Sequence, residues 1–276
     1  MRTLVHLSDL HFGRVDHAVI RPLIERINLI APDLVAVSGD LTQRARSAQF
    51  RQAREFLDAL PSPRIVVPGN HDVPLHNVLK RLLQPLEKYR RYITDDLEPF
   101  FVDDEIAVLG INTARSLMIK GGHINQTQLG RARAQFSQLP AAATKIVVTH
   151  HPLDLPEGHS DKHLVGRART AMETFADCAI DILLAGHMHV AQTGNTAARY
   201  EIAAHAALVI HAGTATSKRR RGEANSFNVI RIDRPNIVVE RWVWNPAATT
   251  FAANAPEHFR LVAGQWNAHG GGNDQI

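Results

Sequence analysis

Five short fragments carry side chains able to hold cations: Asp9-Leu10-His11, Gly39-Asp40, Gly69-Asn70-His71-Asp72, His150-His151-Pro152 and Gly186-His187-Met188-His189. In extended chain Asp9 and His11 project to the same side, so a carboxylate and an imidazole can grip one ion, and His187 and His189 repeat that spacing. Their donors are oxygen and nitrogen only, a set that suits Mn, Fe or Zn and disfavours metals that prefer thiolate. Seven candidate ligands exceed what one ion accepts, which points to two divalent or mixed-valence ions. An isolated Asp-x-His is more often a capping or hydrogen-bonding pair, and a lone histidine is more often a satisfied core residue. The conjunction of five fragments carries the argument.

Elements must bring these fragments together. Each follows a stretch that reads as a strand: residues 4–7, 34–37, 65–67, 145–149 and 182–185. Between them, Val19, Leu23, Ile27 and Ile30, and then Phe50, Ala53, Phe56, Leu57 and Leu60, recur at helical spacing. Strand and helix therefore alternate as in an α/β protein. The carboxyl ends of strands in such a sheet share one edge, so groups placed just beyond them converge in one crevice. Gly39 and Gly186 free the backbone to turn sharply into it. Further strands are expected at 106–111, 207–211, 227–232 and 237–244, with a hairpin at Asp233-Arg234-Pro235-Asn236. Residues 73–98 interrupt the alternation with two helical pieces, a lid-like insertion or simply a solvated face. From 245 to 276 the composition turns to Ala, Thr, Asn and Gly, and a partly disordered tail is expected.

Composition narrows the classes. Hydrophobic residues make up 45% and charged residues 21% of 276, the balance of a folded globular chain. No apolar stretch reaches the ~18 residues of a membrane helix, and Asp9 arrives too early for a signal peptide, so a cytoplasmic location is expected. A lone Cys178 excludes a disulfide framework and a cysteine-based zinc site. The net charge of +4 suits an anionic ligand without the dense basic stripe of a dedicated nucleic-acid binder. Nucleic acid is not excluded as a partner, and neither is a second copy of the chain.

In the order D-x-H, G-D, G-N-H-D, a histidine before proline and G-H-x-H, residues 4 to about 244 resemble the calcineurin-like metallophosphoesterases. The resemblance is strongest to the bacterial class III cyclic-nucleotide phosphodiesterase and glycerophosphodiesterase branch. It implies a four-layer αββα fold, a two-sheet β-sandwich flanked by helices, over 1–244. It also implies that Asp9, His11, Asp40 and His189 hold one metal while Asp40, Asn70, His150 and His187 hold the other, with Asp40 bridging and His151 outside the ligand set. His71 would serve the leaving oxygen as hydrogen-bond donor or proton source. Asp72 would either orient it or merely cap the following turn.

A phosphoester repels nucleophiles, so a catalyst must neutralise charge, supply hydroxide and stabilise the leaving oxygen. Paired cations do all three, activating their own water. Two aspartates and a neutral Asn70 leave net positive charge for a phosphodiester anion. The resemblance thus implies a small phosphodiester substrate, with 3',5'-cyclic AMP the named candidate and a glycerophosphodiester, a phosphomonoester or a nucleic acid the alternatives. A non-catalytic scaffold would be expected to have lost ligands. Specificity is expected in loops 73–98, 113–125 and 152–166. Asn112, the 213–217 loop and the run Lys218-Arg219-Arg220-Arg221 are candidates to support the site, whereas His17, His205, His211 and His258 match no fragment and read as structural. His71-Asp72 after a strand does not fit the all-helical HD phosphohydrolases, and no phosphate-binding Gly-x-x-x-x-Gly-Lys loop or Gly-x-Ser-x-Gly elbow is present.

Overall fold

The computed structural model describes residues 1–270 apart from 76, 119–120, 156–158, 201, 203–204 and 219–221. Residues 271–276 and Arg219, Arg220 and Arg221 of the basic run thus lie outside the described residues.

The amino-terminal half alternates as its periodicity predicts: β1 (Arg2–Leu7), α1 (His17–Ile30), β2 (Leu34–Ser38), α2 (Ser47–Asp58) and β3 (Arg64–Val67). Asp16 caps α1 through its side chain, and the helix buries Val19, Leu23 and Ile27. Two short helices follow, α3 (Val78–Leu83) and α4 (Glu87–Tyr92), and then β4 (Phe100–Val102), β5 (Ile106–Ile111), α5 (Gln126–Phe136), β6 (Thr144–Thr149), α6 (Ala168–Asp177) and β7 (Ile182–Ala185). The remainder is strand: β8 (Gln192–Asn195), β9 (Leu208–His211), β10 (Ser226–Asp233), β11 (Asn236–Asn245), β12 (Thr250–Ala253), β13 (Glu257–Val262) and β14 (Gln265–Ala268).

These strands form two sheets. One runs β14-β13-β11-β10-β1-β2-β3 with β12 attached to β11, and the other runs β4-β5-β6-β7-β9-β8. Within the first, β1, β2 and β3 are parallel; within the second, β5, β6, β7 and β9 are parallel. Strand alternation decides which layer each residue joins. Leu4, Ala36, Val67, Ile106, Val108, Ile146, Val148 and Leu184 point between the sheets and build the central core. Their neighbours Val5, Leu7, Val35 and Val37 pack under α1, α2 and α4, while Ala107, Leu109, Val147 and Leu183 pack under α5 and α6. The result is the four-layer αββα sandwich that the resemblance implies.

Two expectations need correction. The segment beyond Asn245 is not a loose tail, because β12, β13 and β14 extend the first sheet as far as Ala268. Its polar composition conceals three buried anchors, Phe251, Phe259 and Trp266. Trp266 donates from Nε1 to Asp181 Oδ1 at 3.1 Å, tying the first sheet to the turn before β7 in the second. Helix α4 is also more than a solvated face: Tyr89 is fully buried and donates its hydroxyl to Val66 O at 2.9 Å. The expected hairpin forms, with Asp233 opposite Asn236.

Replacing Trp266 with alanine removes a buried indole and a cross-sheet hydrogen bond. A loss of about 3–5 kcal/mol in unfolding free energy is expected for such a truncation, read by denaturant titration. A disordered segment would leave the midpoint unmoved.

Candidate metal centre

The carboxyl ends of β1, β2, β3, β6 and β7 deliver all five fragments to one place. Adjacent loops are stitched by their backbones, Asp9 N to Gly39 O at 3.2 Å and His11 N to Asp40 O at 2.9 Å. Asp9, His11, Asp40, His187 and His189 all take positive φ, between 49° and 70°. Side chains disfavour this left-handed region, and strain of this kind gathers at functional sites. At Gly186 any Cβ would fall 1.8 Å from Ser8 Oγ, and at Gly39, where φ is +87°, it would fall 2.7 Å from the His150 ring. Both glycines exist to let the loops approach.

The seven expected ligands come together. Asp9 Oδ1 stands 3.5 Å from both His11 Nε2 and His189 Nε2, whose rings stack at 5.1 Å. Asp40 Oδ2 lies 3.7 Å from His11 Nε2 and its Oδ1 lies 3.4 Å from His150 Nε2, so one carboxylate faces two clusters. Around His150 Nε2 gather Asn70 Oδ1 at 3.2 Å and His187 Nδ1 at 3.3 Å. Asp9 Oδ1 and both ring nitrogens of His11 are buried without a hydrogen bond. Buried polar atoms are rarely left so. Donor atoms of Asp9, His11 and His189, and again of Asp9, Asp40 and His150, fall within 4.8 Å of one another, as cation ligands must. The donors therefore fit a pair of divalent ions.

Other groups fix the ligands' orientation. His150 donates from Nδ1 to Ser38 O at 2.8 Å, which turns Nε2 toward Asp40, Asn70 and His187. His189 Nδ1 meets Thr214 Oγ1 at 2.7 Å. Asp9 Oδ2 accepts from Ser8 Oγ at 2.8 Å and from His187 N at 3.0 Å. Burial alone would raise the Asp9 carboxyl, but the surrounding His189, His11 and His150 imidazoles hold it well below the usual carboxylate range. Burial also opposes ionisation of Asp40, yet His150, His11 and His71 bring it below its ordinary value. His187, desolvated and beside His150, is pushed down to about 3.

The fragment Gly69-Asn70-His71-Asp72 divides its work differently from one sequence expectation. Asp72 does not orient His71. Its carboxylate accepts from Gly69 N at 2.9 Å, Leu41 N at 3.1 Å and Thr42 N at 2.8 Å, clamping the loop after β2 onto the turn after β3. Buried there and near Asp40, it rises to about 6. His71 is oriented by a group that sequence reading missed, the Gln43 carbonyl, which accepts from Nδ1 at 2.9 Å. His151 packs against the same cluster, with Nδ1 2.8 Å from Thr113 Oγ1 and a donor atom within 4.8 Å of His150 and His187. The residue of that loop touching the site is Thr113 rather than Asn112, whose side chain accepts from Ala114 N. Of the 213–217 loop, Thr214 reaches a ligand. His211 is buried in β9, outside the cluster, as a structural histidine would be.

The chain belongs to the calcineurin-like phosphoesterase family, whose model matches residues 2–191. This is a family of metal-dependent phosphoric ester hydrolases. Two bacterial relatives define a split. A probable glycerophosphodiester phosphodiesterase GpdQ of Arcobacter nitrofigilis is 25% identical over 207 residues, covering 69% of this chain and 72% of its own length. The 3',5'-cyclic adenosine monophosphate phosphodiesterase CpdA of Escherichia coli is 24% identical over 163 residues, and the match spans 57% of this chain but only 54% of that protein. The fold also matches a purple acid phosphatase from yellow lupin, at a TM-score of 0.67 and 11% identity, over 92% of this chain and 53% of that one. A dimetal phosphatase from Danio rerio matches at a TM-score of 0.63 and 12% identity, over 87% of this chain and 95% of that one.

Two substitutions separate the roles drawn here. Thr214→Val should weaken metal affinity about 10- to 100-fold, as loss of a ligand's supporting hydrogen bond does, with unfolding unchanged; metal titration of apo protein checks it. Asp72→Asn should instead cost about 1–3 kcal/mol of stability, because buried amide donors lose acceptors. Unaltered stability with a collapsed rate would return Asp72 to the chemistry.

Proposed function

We propose that the protein hydrolyses a small phosphodiester at this centre, with 3',5'-cyclic AMP, opened to 5'-AMP, as the leading candidate. The observation that carries the reading is Asp40: its two oxygens face separate ligand groups, one including His11 and the other His150. Asp9, His11 and His189 would complete the first site with Asp40, and Asn70, His150 and His187 the second. When bound, two such ions neutralise phosphoryl oxygens and lower the pKa of water enough to supply hydroxide near neutral pH. The protein itself contributes orientation and protons.

Asn70, His71 and His187 are the part-exposed members of the centre, while Asp9, His11, Asp40 and His150 are buried beneath them. Substrate therefore enters over Asn70, His71 and His187. His71, fixed through Nδ1 on the Gln43 carbonyl, offers Nε2 to the leaving oxygen. Asn70 would complete the coordination as a neutral amide, which would preserve positive charge for the substrate. A glycerophosphodiester stays the second reading, because the relatives divide between the two diesters. Among the described residues no helix is long and apolar enough to cross a membrane.

Asp40→Ala should abolish turnover and reduce bound metal while leaving the circular dichroism spectrum intact. His71→Ala should lower kcat by about 10²–10⁴ with metal content retained, the loss typical of a missing general acid. Parallel assays with cyclic AMP, glycerophosphocholine, bis-p-nitrophenyl phosphate and a monoester test the substrate class. Faster hydrolysis of the monoester than of every diester would refute the diesterase reading.

A further inference from the structure

Beside the part-exposed His187 lies a turn outside the five fragments. Beyond His151, the described part of the 152–165 segment closes on itself through Val165 N to Pro152 O at 2.9 Å and carries a short turn, Asp161–His163. The ring of His163 lies 6.4 Å from that of His187, the part-exposed histidine of the second cluster. The sequence places specificity in the 152–166 loop without singling out His163, which stands outside every motif.

Arg199 ties this segment together. The guanidinium binds Asp154 Oδ1 through Nε at 2.6 Å and Asp161 Oδ1 through Nη1 at 2.5 Å, joining both ends of the described segment with one planar fork. Next to it, Tyr200 donates its hydroxyl to Leu153 O at 2.5 Å. Burial pushes that phenol up to about 12, so it keeps its proton and acts as a donor. The Asp161 side chain is 75% exposed, and ion pairs so exposed add little to stability. What the second half of the fork gives is position: it holds the turn that presents His163.

We propose that His163 is a specificity-determining residue of the cleft, contacting the alcohol portion of a phosphodiester beside His187, and that Arg199 is the positioning residue that holds it there. The inference rests on the diesterase reading for the identity of the substrate, but not for the geometry. An imidazole at the mouth can donate to or accept from a ribose or glycerol hydroxyl, whereas the phosphoryl group itself belongs between the two ligand clusters. Specificity of this kind acts on binding of the non-reacting part of the substrate and so on KM more than on kcat.

The test is a double-mutant cycle with His163→Ala, Arg199→Gln and the pair, measured on metal-analysed full-length protein with the diester and monoester panel. Each single variant should keep wild-type metal content and raise KM for the preferred hydroxyl-bearing diester about tenfold, the size of one lost hydrogen bond. KM for bis-p-nitrophenyl phosphate, which has no hydroxyl on its alcohol portions, should hardly move. The double variant should be no worse than His163→Ala alone, because Arg199 acts through it. Amide hydrogen exchange across 159–165 should quicken in Arg199→Gln. Additive KM losses, equal losses on both diesters, or unchanged exchange would overturn the proposal. If wild-type protein prefers a monoester, the diesterase reading fails by itself; exchange still tests the clamp and the cycle still tests His163 on that substrate.

Discussion

Everything at this centre follows from burying two carboxylates. Asp9 and Asp40 sit at the strand ends with almost no solvent contact, where an unpaired negative charge is costly. The fold answers with His11, His150 and His189 within 3.7 Å of one or other aspartate. Cations would complete the site, and the oxygen and nitrogen donors are arranged as cations require. The left-handed backbone at five of the seven ligands is the conformational cost of aiming them inward from neighbouring loops, and the rigid two-sheet sandwich holds that geometry.

Support for the ligands comes from groups with chemistry of their own to satisfy. Ser38 O holds His150, Thr214 Oγ1 meets His189, and Gln43 O fixes His71. Asp72 performs a different task, gathering three backbone N–H groups and so tying the loop after β2 to the turn after β3. A carboxylate next to a histidine in sequence thus turns out to organise backbone. Division of labour in the cleft is correspondingly clear: a closed floor of ligands, a part-open mouth at Asn70, His71 and His187, and a flank beyond it where substrates can be told apart.

Much of this was legible in the sequence. Short apolar runs ending in Asp, Asn, His and Gly located the strand ends, and the topology of parallel strands was enough to bring those ends together. The layers were legible because period-two alternation survives in strands such as residues 106–111. Three parts were not. Strands β12 to β14 are short and their buried aromatics, Phe251, Phe259 and Trp266, are too widely spaced among Ala, Thr and Asn to make a pattern. Gln43 acts through its carbonyl, which every residue has, so no side-chain signal could mark it. Arg199 lies far from Asp154 and Asp161 in sequence, and only folding pairs them, whereas the 213–217 loop was marked by its place after a strand although its contact through Thr214 to His189 was not. The loops in which specificity is expected take their shape from such long-range contacts, and relatives at 24–25% identity divide between two diesters.

The central claim, that Asp40 bridges two cations held by the seven residues, is tested most directly by anomalous diffraction from manganese-loaded crystals. The account predicts two peaks about 3.5–4 Å apart on either side of the Asp40 carboxylate, the spacing of two-metal phosphoesterase centres. One peak alone at saturating manganese, or peaks that leave Asp40 uncoordinated, would contradict it.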